Sequence, residues 1–380
     1  MTSNARTLTY WDLKMVQFNR RLSMQKIIVA AFAGLCVAFA MATPSNAQTS
    51  APEGALTTIR IGQQPQRWAL EWYIATEKGW WKEVGLKPEF STFASGAVEI
   101  GAGASGSWDV GGAGNIPSVL GASKYGLITI GIADEEAGII TLMATQDKAE
   151  AYLKNSSLMK GKTIPVTTNS TGQWGAAECL ARKFGLKPDD YRFVNLSPPD
   201  INAAVMSGKY DVTEAWAPNT YILEDAMGAK VICTGAELKM PIHSYLFAAP
   251  AFAEKNPEAV AKFLAVYLRA VAWERANPKE TENYLKSWFN SVGVKFPDKY
   301  LAQELRDRPA YTLSEQLKIF ASAPAATSEI VKWWNEVGKF MVSVGVIGKI
   351  PEPNTTVSAK FLKMVDSDPK LKSFATEFAK

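Results

Sequence analysis

Gly185-Leu186-Lys187-Pro188 followed by Ser207-Gly208-Lys209-Tyr210-Asp211-Val212 repeats, in order, Gly85-Leu86-Lys87-Pro88 followed by Ser105-Gly106-Ser107-Trp108-Asp109-Val110. The interval from the first glycine to the aspartate is 24 positions in one copy and 26 in the other. Chance produces one such match easily; two in register predict two similarly built units. Around the first copy, Thr57–Ile61 alternates like a strand and Gly62-Gln63-Gln64-Pro65 breaks it. A helix with Leu70, Tyr73, Ile74 and Trp80-Trp81 follows, then strand-like Glu89–Phe93, a helix opened by Ser95-Gly96, a strand from Trp108, helical 116–124 and strand-like 127–133. The alternation reads as an α/β unit with a mainly parallel sheet.

Around the second copy, Thr163-Ile164-Pro165-Val166 reads as a buried strand and 176–184 as a helix. Thr167-Thr168-Asn169-Ser170-Thr171-Gly172 between them brings small hydroxyl and amide side chains to a helix start. The orphan N–H groups there and the positive end of the helix dipole suit an anion, and an ordinary Ser/Thr cap would look the same. Beyond Pro250 the chain turns helical. Asn256-Pro257 starts a helix with Val260, Phe263, Leu264, Tyr267, Leu268 and Val271 on one face, and Ser328 caps another carrying Trp333 and Trp334. The expected organisation is a leader at 1–47, a first lobe at 56–138, a second at 139–243, a return to the first at 244–346, and a surface tail at 347–380.

The formal net charge of +4 belongs to the leader, where Arg6, Lys14, Arg20, Arg21 and Lys26 stand against Asp12 alone. The remainder is neutral, which argues against a nucleic-acid surface. Arg20, Arg21 and Lys26 precede an apolar run from Ile27 to Met41 and a small-x-small pattern at Ser45-Asn46-Ala47, the layout of an export signal. Cys36 lies inside the apolar run with Leu35 before it, which does not fit a lipid-attachment site. Cys179 and Cys233 remain, as a disulfide or as two buried thiols. With one histidine, His243, and no CxxC, neither a metal centre nor a catalytic triad is expected, and no cofactor is called for.

Two open α/β lobes meet across a cleft, with ligands outside the strand carboxyl ends beside helix starts. In the first lobe those ends bring Gln64, Trp68, Ser95, Gly96 and Asn115. In the second they bring Asn169, Ser170, Thr171, Glu214 and Trp216. The acidic crossing Asp134-Glu135-Glu136 adds Glu135, although such runs are more often solvated turns.

Phe93-Ala94-Ser95-Gly96-Ala97, Val194-Asn195-Leu196-Ser197-Pro198-Pro199, Asp211 with Trp216-Ala217-Pro218, and Tyr311-Thr312-Leu313 resemble periplasmic substrate-binding proteins of ABC importers for taurine, alkanesulfonates and nitrate, the taurine-binding members most of all. The likeness runs over roughly 57–345. It implies a type II periplasmic-binding-protein fold of two α/β lobes that close on a ligand. It also implies donors to an anionic head group at Ser95-Gly96 and Ser170-Thr171, and cleft positions for Asp211 and Trp216. The implied partners are an ABC permease and its ATPase, with the protein itself a monomer. Asp211 and Glu214 would face an ammonium, as would the rings of Trp216 and Trp68. The chain departs from the taurine pattern at Glu214, where those members carry an aromatic, and at Gly172-Gln173-Trp174, which replaces a Thr-His-Tyr type of sequence. An added carboxylate would repel a simple dianion and favour an amino-sulfonate or another nitrogen-bearing solute.

The leading expectation is therefore a non-catalytic solute receptor. The alternatives are an enzyme on a related fold, of the thiamine-pyrimidine synthase or desulfinase type, and a sensory module presenting ligand to a membrane kinase. Fold alone does not separate these.

Overall fold

The computed structural model describes residues 56–379, so the expected leader lies outside the described residues. The first lobe is built on a five-stranded sheet of β1 (Thr57–Gln63), β2 (Leu86–Thr92), β3 (Val110–Gly114), β4 (Ile128–Glu135) and a strand arriving from far along the chain, β10 (His243–Ala248). Its order is β2-β1-β3-β10-β4. β1 pairs in parallel with β2 and β3, while β10 runs antiparallel between β3 and β4.

The second lobe carries β5 (Ile140–Ala144), β6 (Thr163–Val166), β7 (Arg192–Asn195), β8 (Val212–Trp216) and β9 (Lys230–Thr234). β6 and β7 pair in parallel, and β5 runs antiparallel between β8 and β9. A mainly parallel sheet was expected in each lobe; the sheets are mixed, and the crossing strands are the reason. β5 enters the second lobe and β10 re-enters the first from the cleft side, each against the direction of its neighbours. The arrangements β3-β10-β4 and β8-β5-β9 are equivalent, which is the duplication the repeats announced.

The repeated segments do the same work twice. Gly85 and Gly185 adopt φ of 74° and 67°, closing the turn before the next strand in the left-handed region that glycine enters freely. Asp109 accepts from the Arg60 backbone N–H at 2.9 Å and pairs with its guanidinium at 2.5 Å, and Asp211 accepts from Lys162 Nζ at 2.6 Å. Each aspartate stands just before one strand and braces it to a basic residue on or just before another, Arg60 within β1 and Lys162 ahead of β6. Cys179 and Cys233 are joined as a disulfide between the helix after β6 and β9, with Cα atoms 6.0 Å apart.

Three sequence expectations change. The helix expected at 176–184 begins at Thr171, because the Ser170 hydroxyl accepts from the Gln173 N–H at 2.9 Å and starts it early; it runs to Glu178 and continues as a π-helical turn over Cys179–Lys183. Ser328 stands at the start of the Glu329–Ser343 helix, but its hydroxyl donates to the Ile319 carbonyl at 3.0 Å and caps nothing. The stretch after Ile350 is not a surface tail. Val357 bridges Thr129 beside β4, and the helices Lys360–Ser367 and Pro369–Thr376 pack on the long Pro257–Ala276 helix with Phe361, Leu362 and Val365 buried. The apolar spacing 361, 362, 365 is helical, and Asp368 Oδ1 accepts from the Lys370 and Leu371 N–H groups to start the last helix.

Candidate functional site

β1, β2 and β3 all run toward the cleft, so the turns that follow them converge there; the turns after β6 and β8 do the same from the second lobe. Ser95 stands at the start of the Gly96–Gly103 helix with its hydroxyl making no cap bond, and its side chain is buried. Gly96 is required by close approach: a Cβ there would stand 2.6 Å from Pro117 Cγ. Facing it, Ser170 and Thr171 open the helix of the second lobe. The first amides of both helices lack acceptors within their helices and carry the positive dipole end.

These groups enclose a cavity with Gln64, Gln66, Trp68, Glu136 and Ser244 on the first-lobe and crossing side, and Gly172 and Trp216 on the other. It encloses about 370 Å³ of unfilled space, part of it open solvent. The lobes touch across it: the Thr171 hydroxyl donates to Asn115 Oδ1 at 3.1 Å, and the Trp174 and Phe340 rings lie 5.6 Å apart.

Seven of the twelve residues expected from sequence line this cavity: Gln64, Trp68, Ser95, Gly96, Ser170, Thr171 and Trp216. The other five do not. Asn115 is fully buried and acts behind the wall, bonding Thr171 and the Pro241 carbonyl. Asn169, at φ 60°, turns to an apolar groove on the far side of its helix. Glu135 pairs with His243 at the strand end, and the neighbouring Glu136 is the carboxylate in the cavity. Asp211 sits at the opposite end of β8 from Trp216, held by Lys162, so the bracing role fits its position and the ligand role does not.

Glu214 is fully buried beneath the helix start. It accepts from the Thr167 N–H, and its second oxygen is 3.5 Å from the Ser170 hydroxyl. A Cβ on Gly172 would stand 2.8 Å from that oxygen and 2.7 Å from Trp216, so only glycine lets the helix settle there. Burial pushes the Glu214 carboxyl up to about 8. The charged-carboxylate role read from the sequence is therefore weakened at neutral pH, because desolvation favours its protonated form.

The first lobe has its own buried carboxylate. Glu99 accepts from Gln64 Nε2 at 2.8 Å, and burial pushes it up to about 8 as well. The other Gln64 Nε2 hydrogen goes to the Gly112 carbonyl at 3.2 Å, which leaves the Gln64 carbonyl oxygen for the cavity. His243, buried and stacked 3.9 Å from Trp333, is packed as a structural histidine, and burial lowers it to about 4. Glu136, Gln66 and Ser244 were missed. The available signal was register: along the strand end, alternate residues face opposite sides, and Glu136 is on the side that Glu135 is not.

Comparison with known proteins places this architecture. The putative aliphatic sulfonates-binding protein of Bacillus subtilis (strain 168) is 25% identical over 313 residues, 81% of this chain and 88% of that one. The taurine-binding periplasmic protein of Escherichia coli (strain K12) is 30% identical over 217 residues, 54% of this chain and 64% of that one. Among solved structures, the alkanesulfonate-binding protein SsuA from Xanthomonas axonopodis pv. citri bound to MOPS superposes with a TM-score of 0.65 at 20% identity, covering 81% of this chain and 99% of that one. The periplasmic aliphatic sulphonate binding protein SsuA from Escherichia coli gives 0.63 at 20% identity, covering 79% and 92%. The NMT1/THI5-like family model matches residues 69–281, more than half of the sequence, and the chain belongs to that family.

Proposed function

We propose that the protein is the extracytoplasmic solute-binding component of an ABC importer, capturing a small polar molecule between its lobes and delivering it to a membrane permease and its ATPase. The observation that carries this reading is the convergence of helix starts from both lobes, at Ser95-Gly96 and Ser170-Thr171, on one small cavity. Such a site gains its contacts only when the lobes close, so a solute stabilises the closed form by its preference for it. The relatives named as binders of taurine and aliphatic sulfonates support a solute of that size. A periplasmic location and a monomeric state fit the reading. An enzymatic role has little to stand on: the two cysteines are bonded to each other, and His243 is packed against Trp333.

Thermal unfolding against taurine, hypotaurine, alkanesulfonates, nitrate, amines and pyrimidines tests the proposal. A solute at 100 times its Kd adds about 2.7 kcal/mol and raises the midpoint visibly. No shift with any of them would contradict it.

A further inference from the structure

Glu214 lies behind the cavity wall, yet it touches residues that form that wall. It is fully buried. Oε1 accepts from the Thr167 N–H, and Oε2 lies 3.5 Å from the Ser170 hydroxyl and 2.8 Å from where a Cβ on Gly172 would stand. Ser170 and Gly172 both line the cavity.

The elements packed on β8 bring this carboxyl no positive charge. β5 and β6 carry no charged residue, and the Thr171–Glu178 helix carries only Glu178, which pairs with Arg182. The flanking helices Pro198–Met206 and Asn219–Met227 bring only acids, Asp200, Glu224 and Asp225. At the far end of the strand Asp211 is taken by Lys162, and on the crossing side of the cavity Glu136 is held by Arg308. A carboxyl buried without a counter-charge keeps its proton, and burial pushes Glu214 up to about 8.

That proton decides what Ser170 can offer. A serine hydroxyl has one hydrogen, and the Ser170 oxygen already accepts from the Gln173 N–H at 2.9 Å. An ionised Glu214 draws the Ser170 hydrogen to Oε2 and places a negative charge at the positive end of the helix. A protonated Glu214 is itself a donor, so the Ser170 hydrogen is left for the cavity and the helix end is not neutralised. Ionised Glu214 is therefore an internal competitor for any anion or acceptor brought to this helix start.

We infer that Glu214 is a proton-controlled switch on the solute site: as the acid it leaves the Ser170 hydroxyl and the helix start to the solute, and as the carboxylate it takes both. This rests on the proposed solute-binding role and assigns that site a regulation. Glu214 acts through Ser170 and is a positioning residue.

Calorimetric titration with ethanesulfonate, butanesulfonate and nitrate, anions whose own charge is fixed across the range, tests this between pH 6 and 9. Affinity should be level up to about pH 7 and roughly tenfold weaker at pH 9, because binding then requires a proton. At pH 8 each solute bound should take up as much as about half a proton, read from the difference in heat between buffers of unlike ionisation enthalpy. Glu214→Gln keeps an acceptor for Thr167 and a donor for Ser170 but cannot ionise, so the ratio of its affinities at pH 7 and pH 9 should be about one. Glu99→Gln, which removes the other cavity-side carboxyl raised to about 8, should keep the tenfold loss. Equal wild-type affinities at the two pH values, a loss without proton uptake, or a loss that persists in Glu214→Gln overturns the inference and leaves the solute-binding role standing. Should Glu214→Gln fail to fold by circular dichroism, Glu99→Gln decides, since a ratio near one there assigns the proton to Glu99. Silence from all three anions overturns the inference and leaves the solute-binding role to the amines and pyrimidines.

Discussion

In the first lobe Asp109 holds Arg60, 49 residues before it; in the second Asp211 holds Lys162, also 49 residues before it. The strand arrangement, the glycine turns and the aspartate braces are shared. The walls facing the cleft are not. Both offer a helix start, but the first lobe and the crossing segment add acceptors, the Gln64 carbonyl and the Glu136 carboxylate, whereas the second adds the Ser170 and Thr171 hydroxyls. Each lobe places a buried carboxylate behind its part of the cavity lining, reached by a different route. Glu99 hangs from the helix after β2 and holds Gln64; Glu214 rises from β8 and holds Thr167 and Ser170. The comparison separates what the duplicated scaffold needs from what the site needs. The shared glycine turns and aspartate braces lie away from the cavity, and the acceptors and hydroxyls that differ between the lobes line it.

The largest expected effect tests the second-lobe carboxylate. Glu214→Ala leaves the Thr167 N–H unpaired above a new void, and urea unfolding should report a loss of about 2–4 kcal/mol. Glu214→Gln should keep most of the stability, since the amide oxygen still accepts. Next is the disulfide, which has no counterpart in the first lobe. Replacing Cys179 and Cys233 together by Ser opens a loop spanning 54 residues and should cost roughly 2–4 kcal/mol in the same measurement. In the intact protein, unfolded without reductant, thiol titration should find neither cysteine free.

Unfolding temperature against pH probes both carboxylates at once. Glu99 and Glu214 titrate near 8 in the folded protein and near 4.5 when exposed, and Glu71 and Glu274 are likewise raised by burial, to about 8 and about 7. The folded state therefore holds more protons than the unfolded one through this range. Their contribution to stability is fully present below about 4.5 and is lost as pH rises through the folded values. His243 acts oppositely, but only between 6.5 and about 4, where falling pH costs stability. Between pH 6.5 and 8 the midpoint should thus fall with rising pH, by several degrees, and Glu214→Gln should flatten the slope. The smallest effect tests the braces. Asp211→Asn should cost about 0.2–1 kcal/mol, because Lys162 is 37% exposed, and Asp109→Asn a similar amount, because the amide oxygen still accepts from the Arg60 backbone N–H.

The repeats made the two-lobe architecture legible, and hydroxyl-rich helix starts made half of the candidate site's lining legible. What failed did so for local reasons. Asp211 was carried into the cleft by resemblance, although its repeat partner Asp109 pointed to a brace; a strand's two ends look alike in sequence and lie a full strand apart. Glu135 and Glu136 differ by one position, and one position on a strand is the other face. Glu214 was read as charged because sequence does not report burial. The last helices were hidden by Pro351, Pro353 and polar residues, and only Phe361, Leu362 and Val365 marked their buried face.

The central claim is that the solute sits between the helix starts and not at the braces. Calorimetric titration of wild type, Asp211→Asn and Thr171→Val with whichever panel solute shifts the wild-type unfolding most tests it directly. The account predicts one solute per chain, unchanged affinity in Asp211→Asn, and a roughly tenfold or larger loss in Thr171→Val, whose hydroxyl lines the cavity and ties it to Asn115. Unchanged affinity in Thr171→Val with loss in Asp211→Asn would contradict it.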